Sequence, residues 1–250
     1  MARSDAEQTV DGVDGEQSAT ATAPPEGPAR SNGSAATTAP TGLGAPAGIR
    51  PSPVPAGAVL FGELTTAFVD GTRLLRHLGE RRHTGALVDT GRSRTQVAIL
   101  HDGGVVALLA VSNGATVRTD RLTLPAPGEE EEHDLRVITY RPEIVVALSQ
   151  LINVAERFER MHGSFVDLPA LVTYLRREKA SGAIRVTGGD DTGVILLRSG
   201  DVLGAFTSKK PELDDADVVL PLAKARDAEI DVHTGPISLP PATTPVSAVV

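Results

Sequence analysis

The chain has 250 residues, of which 40% are hydrophobic and 22% are charged, and its formal net charge at pH 7 is -8. This is enough apolar material for one or two globular domains, whereas the acidic balance argues against a general nucleic-acid binder, which needs a basic surplus to neutralise phosphates. Aromatic residues make up 3% of the chain, too few for base-stacking platforms, and the absence of cysteine excludes disulfides, thiolate metal ligands and cysteine catalysis.

The two ends of the chain differ in composition from its middle. Residues 1–54 are rich in Ala, Thr, Pro, Gly and Ser, with few bulky apolar side chains to bury, and residues 238–250 resemble them. Both segments are predicted to be disordered tails. The N-terminus is acidic and lacks the apolar core of a secretory signal, and no later run is long enough to span a membrane. We therefore expect a cytoplasmic protein without membrane insertion.

Two segments of forty residues, starting at Phe68 and Phe165, align without a gap at a constant offset of 97 positions. Fourteen of the forty aligned positions are identical, and most of these are apolar residues or glycines. This predicts a duplicated module. The expected organisation is a first module at 55–141, a connecting helix at 142–163 and a second module at 164–237.

Each copy begins with a predicted helix and continues as a three-stranded antiparallel meander. Asp70 and Asp167 are placed to cap the helices, and Gly85 and Gly182 to end them with a positive φ. In the first copy the meander comprises strands at 86–90, 95–101 and 105–110, with a tight Asp102-Gly103 turn. The glycines are too widely spaced for a phosphate-binding loop and recur in both copies, so we interpret them as turn and cap residues.

Between the copies, apolar residues from Ile144 to Phe158 recur on one helical face, with Pro142 in the first turn and Gly163 as a stop signal. This helix is expected to pack the two modules together, with a homodimer seam as the alternative. The predicted fold class is therefore α+β: two tandem copies of a small helix and antiparallel meander, joined by an amphipathic helix, with disordered tails.

The pattern of the second copy resembles the PATAN domain of bacterial signalling proteins and its sister domain of unknown function. That pattern is carried by Gly182, Ile184, Val186, Gly193, Ile195, Leu197, Gly200, Val202 and Ala205. A second helix, interrupted by Pro221, and a closing strand follow, as in the family. The first copy has Gln96 and Leu108 at the family's Gly and Ala positions, and an acidic loop leading to a strand at 135–140 stands where its second helix would be.

Few residues of the chain are candidates for a catalytic or metal-binding site. His77, His83, His101 and Asp102 are candidates for a metal or acid–base site, but we interpret them as surface and turn residues, because their spacing places no two histidines on one helical face. Ser93 has no evident base, and the acidic run from Glu129 to Glu132 lacks the interleaved residues of a calcium loop. We predict no catalytic, metal or cofactor residues, and a protein that is not an enzyme.

The resemblance implies an interaction or regulatory module. The leading prediction is an adaptor that binds another protein, as yet unidentified, in a bacterial cytoplasmic signalling pathway. The alternative is a sensor that binds a small ligand or nucleotide between the two copies. The copies differ in charge at one turn, where Arg92 and Arg94 correspond to Asp190 and Asp191. These four residues are candidate interaction sites, within the chain or between chains, against the simpler interpretation of solvated turn charges.

Overall fold

The computed structural model describes residues 53–112, 115–125, 127 and 131–236, and the fold within them is α+β. All the elements belong to one compact unit. Those of the first half are β1 (Ala58–Thr65), α1 (Gly71–Glu80), β2 (Gly85–Thr90), β3 (Arg94–His101), β4 (Gly104–Ser112), β5 (Ala115–Arg118) and β6 (Asp134–Thr139). After α2 (Pro142–Asn153), those of the second half are β7 (Phe158–His162), α3 (Leu168–Arg177), β8 (Gly182–Gly188), β9 (Asp191–Arg198), β10 (Asp201–Thr207), α4 (Leu220–Ala223) and β11 (Glu229–Thr234).

The strands form two antiparallel sheets with matching connectivity. The strand order is β1-β6-β2-β3-β4-β5 in the first half and β10-β9-β8-β11-β7 in the second. In both halves the closing strand, β6 or β11, lies between the first strand of the meander and the strand that precedes the helix. The edge strands β1 and β7 were not predicted, and β5 extends the first sheet by one strand.

The two meanders agree residue by residue. Gly85 pairs with Leu100 and Gly182 with Leu197, and a bulge follows each tight turn, at Val106 and at the equivalent Leu203. Asp102 and Gly103 have φ values of 51° and 82°, and Ser199 and Gly200 have 51° and 90°. Two successive positive φ values are the mark of the predicted type I′ turn.

The N-caps of the helices are as predicted. The side chain of Asp70 accepts a hydrogen bond from the backbone N–H of Arg73 (3.0 Å), and Asp167 accepts one from Ala170 (3.1 Å). Each bond satisfies one of the first-turn N–H groups that have no partner within the helix.

The predicted role of Gly85 and Gly182 as positive-φ helix caps is wrong. Arg82 and Lys179, with φ values of 53° and 51°, make the turn after the helices, and both glycines already belong to strands. They are needed for close approach, because a Cβ atom would lie 1.9 Å from the carbonyl oxygen of Ile138 at Gly85 and 1.9 Å from that of His233 at Gly182. Gly182 also has a positive φ, of 143°.

The connecting helix is shorter than the predicted 142–163. It ends at Asn153, whose side-chain amide donates to the backbone carbonyl of Val106 (2.9 Å). Residues 158–162 form β7 instead, because Phe158 and Met161 pair with the edge of β11 and pack against the core of the second half. The apolar spacing that predicted a continuous helix therefore spans a helix and a strand.

Helix α2 packs against both sheets, which confirms the intramolecular interpretation of its apolar face. Ile144, Val145 and Leu148 share one buried cluster with Val97 and Ile99 of the first sheet. The same cluster includes residues of the second sheet, namely Ala183, Val194, Leu196 and Phe206. Alternate residues of the strands face outward under α1 in the first half and under α3 in the second, so α2 lies on the inner face of both sheets.

The predicted boundary of the N-terminal tail needs one correction. Val54, assigned to the N-terminal tail, is 1% exposed and belongs to the central cluster, so the folded part begins at or before it. Residues 1–52 and 237–250, which hold the rest of both predicted tails, lie outside the described residues, as do Glu129 and Glu130. No helix in the described part of the chain is long and apolar enough to cross a bilayer.

Candidate functional site

A cleft of about 800 Å³ opens between the two sheets where α2 ends. Its floor is the segment from Leu151 to Glu156, which leaves α2 and leads to β7. One wall comes from β3, β4 and β5 of the first half, and the other from β8, β9, β10 and β11 of the second. The volume falls in the range typical of small-molecule sites, and a boundary between repeated units is a common place for one.

Aliphatic side chains make up the apolar part of the walls. Leu109 and Val111 face the cleft from β4, and Val194 faces it from β9. The one aromatic side chain among the described lining residues is Phe206, which is 2% exposed. The apolar surface that a ligand can reach is therefore mainly aliphatic.

The charges of the lining are mostly positive. Its described residues include four arginines, Arg92, Arg94, Arg118 and Arg185, and one acidic residue, Glu156. This contrasts with the net charge of -8 of the whole chain. Because a field is strongest in a recess with low-dielectric walls, the cleft should attract anions to an otherwise acidic protein.

Arg118 and Arg185 approach the cleft from opposite sheets. Arg118 pairs across β4 and β5 with Leu109, which places it on the inner face, and its Nε lies 3.9 Å from the exposed carboxylate of Asp120. Arg185 donates from Nε (3.1 Å) and Nη2 (2.8 Å) to the buried carboxylate of Asp231. An arginine has five N–H donors, so this pairing orients the guanidinium and leaves further donors available.

His233 is a buried polar residue in the wall of the cleft. It is 3% exposed, and its Nδ1 donates to the backbone carbonyl of Val154 (3.1 Å), which assigns the proton to that nitrogen. Within the described residues its Nε2 has no hydrogen-bond partner and lies 4.0 Å from Oε1 of Glu156. A buried nitrogen without a hydrogen-bond partner costs free energy. With the proton on Nδ1, Nε2 is an acceptor, so a hydrogen-bond donor that reached it would be bound favourably.

The charged turns singled out from the sequence are placed as follows. Arg92 and Arg94 lie at the mouth of the cleft, and the backbone N–H of Arg92 donates to Glu131 (2.7 Å). Asp190 and Asp191 are outside the lining and bond within the second half. Asp190 pairs with Lys209 (2.6 Å), and this holds the pKa of Asp190 below its usual value. Asp191 accepts a hydrogen bond from the hydroxyl of Ser208 (2.5 Å). Recognition between the turns of two chains stays a prediction.

A second polar cluster is buried in the first half, away from the cleft. Asp89, which is 1% exposed, bonds to Nδ1 of His133 (2.7 Å) and to the side-chain amide of Gln96 (3.4 Å). Gln96 also exchanges two hydrogen bonds with the backbone of Thr123, at 2.7 Å and 3.2 Å. Burial raises the pKa of Asp89, and the bonds to His133 and Gln96 oppose that shift in part. These residues tie the segment 119–125 and the start of β6 to the sheet.

The histidines considered as a metal or acid–base site are not grouped as one. His77 is exposed on α1, whereas His83 is buried with Nε2 3.1 Å from the carbonyl of Ile138. Asp102 bonds to Arg82, whose guanidinium lowers the pKa of Asp102. One serine and histidine pair, Ser164 and His162, is within hydrogen-bond distance (2.8 Å), but it is exposed on a turn outside the cleft.

Two phenylalanines at equivalent positions of the halves are exposed. Phe68 is 70% exposed and Phe165 is 87% exposed, each two residues before the aspartate that caps a helix. Phenylalanine at such exposure leaves apolar area in water that a protein partner could cover.

Sequence reasoning did not identify Arg118, Arg185 or His233 as site residues. Arg185 was detectable in principle, because it interrupts the apolar run Ala183-Ile184-Arg185-Val186 at an inward-facing position. Comparison of the chain with protein-family models, with curated proteins and with solved structures found no significant match. The candidate function therefore depends on the geometry of the cleft and on the physical chemistry of its walls.

Proposed function

We propose that this chain is a non-enzymatic regulatory module in which two tandem copies of one fold unit bind a small ligand in the cleft between them. The observation that carries the proposal is the cleft itself, because residues from both sheets and the end of α2 line a single recess. A ligand held there contacts both halves at once. Binding of the ligand would shift the position of β7, which follows the floor of the cleft in the chain. Because β7 is part of the second sheet, the shift would reach the rest of the second half.

The tandem origin supports a binding role. The offset of 97 positions is preserved in the meanders down to the bulge at Val106 and Leu203, as expected for a duplicated unit. The resemblance of the second half to the PATAN pattern favours the same class of protein, a regulatory rather than a catalytic one. Duplication followed by divergence of the facing surfaces gives a shared recess with two different walls.

The test is a thermal-shift screen of metabolites and nucleotides on the full chain, with a matched pair of blocking variants. Strand alternation places Thr116 in the cleft and its neighbour Val117, which is 60% exposed, on the other face. A true ligand should raise the melting temperature saturably in wild type and Val117→Trp but not in Thr116→Trp. The proposal fails if every compound that stabilises wild type also stabilises Thr116→Trp.

A second function, a protein-binding adaptor, is favoured by the exposed Phe68 and Phe165. A partner with two similar sites, or two copies of one partner, could engage the equivalent positions. Photo-crosslinking residues introduced at 68 and at 165 in the native host should then give the same adduct. Val117 serves as the exposed control position. Adducts at 68 and 165 no different from those at 117 would exclude this function.

A further inference from the structure

We propose that the ligand of the cleft is an organic anion with an aliphatic body, whose carboxylate or phosphate head is bound by Arg118 and Arg185. This inference rests on the proposed function, since it assigns a chemical class to the ligand of that same cleft. Neither residue is part of the charged turns that the sequence singled out. Three properties of the cleft lead to this assignment: its charge, the placement of its arginines and the nature of its apolar wall.

The charge of the lining selects an anion. The four arginines outnumber the single glutamate among the described lining residues, although Asp231 partly neutralises Arg185 from behind, and Glu131 lies beside Arg92 at the mouth. With Arg185 and Arg92 both left out of the count, Arg94 and Arg118 still outnumber Glu156, and the carboxylate of Asp120 beside Arg118 is 92% exposed and therefore screened by solvent. A cationic ligand would have to overcome this field, whereas an anion gains from it over a distance of about 8–10 Å at ordinary salt.

The placement of the arginines locates the head group. Arg118 is held loosely, with 56% of its side chain exposed and Asp120 at 3.9 Å, so it can move to meet a ligand. Arg185 is fixed by two bonds to Asp231 and is 38% exposed, which presents an oriented guanidinium from the opposite sheet. Planar guanidinium groups bind carboxylates and phosphates through paired hydrogen bonds. A head group between the two sheets would join them.

The apolar wall of the cleft indicates the chemical nature of the ligand's body, the part beyond its head group. Leu109, Val111 and Val194 offer aliphatic surface, and Leu151 and Ile152 at the floor are half-buried. Phe206 is too deeply buried to present a face on which a nucleobase could stack. An alkyl chain gains binding free energy with each methylene group that it buries, and it needs no aromatic partner. The structure thus favours an aliphatic anion over a nucleotide.

The experiment is isothermal titration of the full chain with four probes. Decanoate and decyl phosphate carry the two candidate head groups, decanol carries the chain without charge, and inorganic phosphate carries charge without the chain. Decanoate and decyl phosphate are kept below their critical micelle concentrations, and decanol is kept below its solubility limit. Saturable one-to-one binding of at least one of the two anions, with decanol and inorganic phosphate each at least about tenfold weaker, is expected because each lacks one of the two contacts. The stronger of the two anions identifies the head group.

Two charge-reversal variants provide the matched control. Arg118→Glu places a carboxylate in the cleft, whereas Arg121→Glu makes the same change of net charge at an exposed residue outside it. The first should weaken binding of the anion roughly ten- to a hundredfold, and the second should change it less than about twofold, because a bond to a charged group is lost only in the first. Equal effects of both variants would overturn the assignment of Arg118.

The outcomes separate this inference from the proposed function. If decanol binds as tightly as the anions, or if both anions fail to bind while a neutral compound binds and is blocked by Thr116→Trp, the anion assignment is wrong and the cleft remains a ligand site. If an aromatic nucleotide binds in the cleft and decanoate does not, the aliphatic assignment is wrong. A decanoate affinity that Thr116→Trp leaves unchanged would place the anion elsewhere and contradict the inference directly.

Discussion

The outer faces of the two sheets are covered in different ways although the sheets beneath them match. In the second half Gly193 leaves room for Val219 and Leu222, which approach within 2.7 Å and 3.0 Å of where a Cβ atom would be, so a helical segment packs on the sheet. In the first half Gln96 stands at that position and bonds to Thr123, and an irregular segment lies there instead. We infer that the residue at this position contributes to selecting the segment that covers the sheet.

The same difference extends to the neighbouring strand. Asp89, buried and bonded to Gln96 and His133, corresponds to Val186, which is 0% exposed in the core of the second half. The first half therefore has a polar network under its cover where the second half has an apolar contact. The strand registers of both meanders are fixed by their turns and by close backbone approach. Two duplicated units can therefore keep the same meander while the segments that cover the outer faces of their sheets diverge.

The largest effect is expected where the halves agree, at Gly85 and Gly182. Gly182→Val should cost on the order of 4 kcal/mol or more of unfolding free energy, because its Cβ would collide with the carbonyl of His233 and its φ is 143°. Gly85→Val should lose somewhat less, because its Cβ would meet the carbonyl of Ile138 and Nε2 of His83 (2.7 Å) but its φ is not among the positive ones. Urea melts measure both.

Gly62→Val is the control for this pair. Gly62 lies exposed on β1, and a Cβ there would have one contact, with the side chain of Val59 at 3.2 Å. The variant should stay within about 1 kcal/mol of wild type. If it is as destabilised as Gly182→Val, the loss reflects valine in a strand rather than close backbone approach.

The next-largest loss of stability is expected at a position where the two halves differ. Gly193→Gln gives the second half the side chain of the first and should cost about 3 kcal/mol, because the amide displaces Val219 and has no equivalent of Thr123 to bond to. Gly189→Gln is the control, since nothing lies within 4 Å of its Cβ and only its φ of 60° opposes the change. A stable Gly193→Gln with an intact α4, by circular dichroism and urea melts, would show that this position does not select the cover.

The repeated features were predictable from sequence because they are local. The Asp102-Gly103 turn, the caps at Asp70 and Asp167 and the strands of both meanders depend on residues close together in the chain. The edge strand β7 was missed because Phe158 and Met161 pair with residues of β11 that lie 74 and 69 positions further along the chain, and because both fit a helical period equally well. The cleft could not be predicted, since Arg118 and Arg185 come to line one recess only once both sheets pack on α2.

A smaller effect, on the pH dependence of stability, is expected from the buried polar network of Asp89, Gln96 and His133 in the first half. Burial raises the pKa of Asp89 above its value in the unfolded chain, about 3.9. As the pH falls, Asp89 is therefore protonated in the folded state at a higher pH than in the unfolded state. The contribution of this carboxyl to stability is then full below about pH 4 and is lost as the pH rises through the folded pKa. In urea melts the stability of wild type relative to Asp89→Asn should therefore fall between pH 4 and pH 7. A difference that rises with pH would mean that the bond to His133 outweighs burial.

The smallest effect is expected from the charged turns. Replacing Arg92 and Arg94 together by aspartate should leave the sedimentation coefficient unchanged, because Asp190 and Asp191 already bond to Lys209 and Ser208 within their own half. If the change instead weakens self-association, and replacing both aspartates by arginine in the same molecule restores it, the turns recognise each other between chains.

The most direct test of a ligand site shared by the two halves is the location of bound decanoate by nuclear magnetic resonance. Intermolecular contacts from its chain should reach methyl groups of both sheets, Leu109 and Val111 from the first and Val194 from the second, and the amide shifts of Arg118 and Arg185 should move together along one saturable curve. Contacts confined to one sheet, or to the exposed Phe68 and Phe165, would contradict the account.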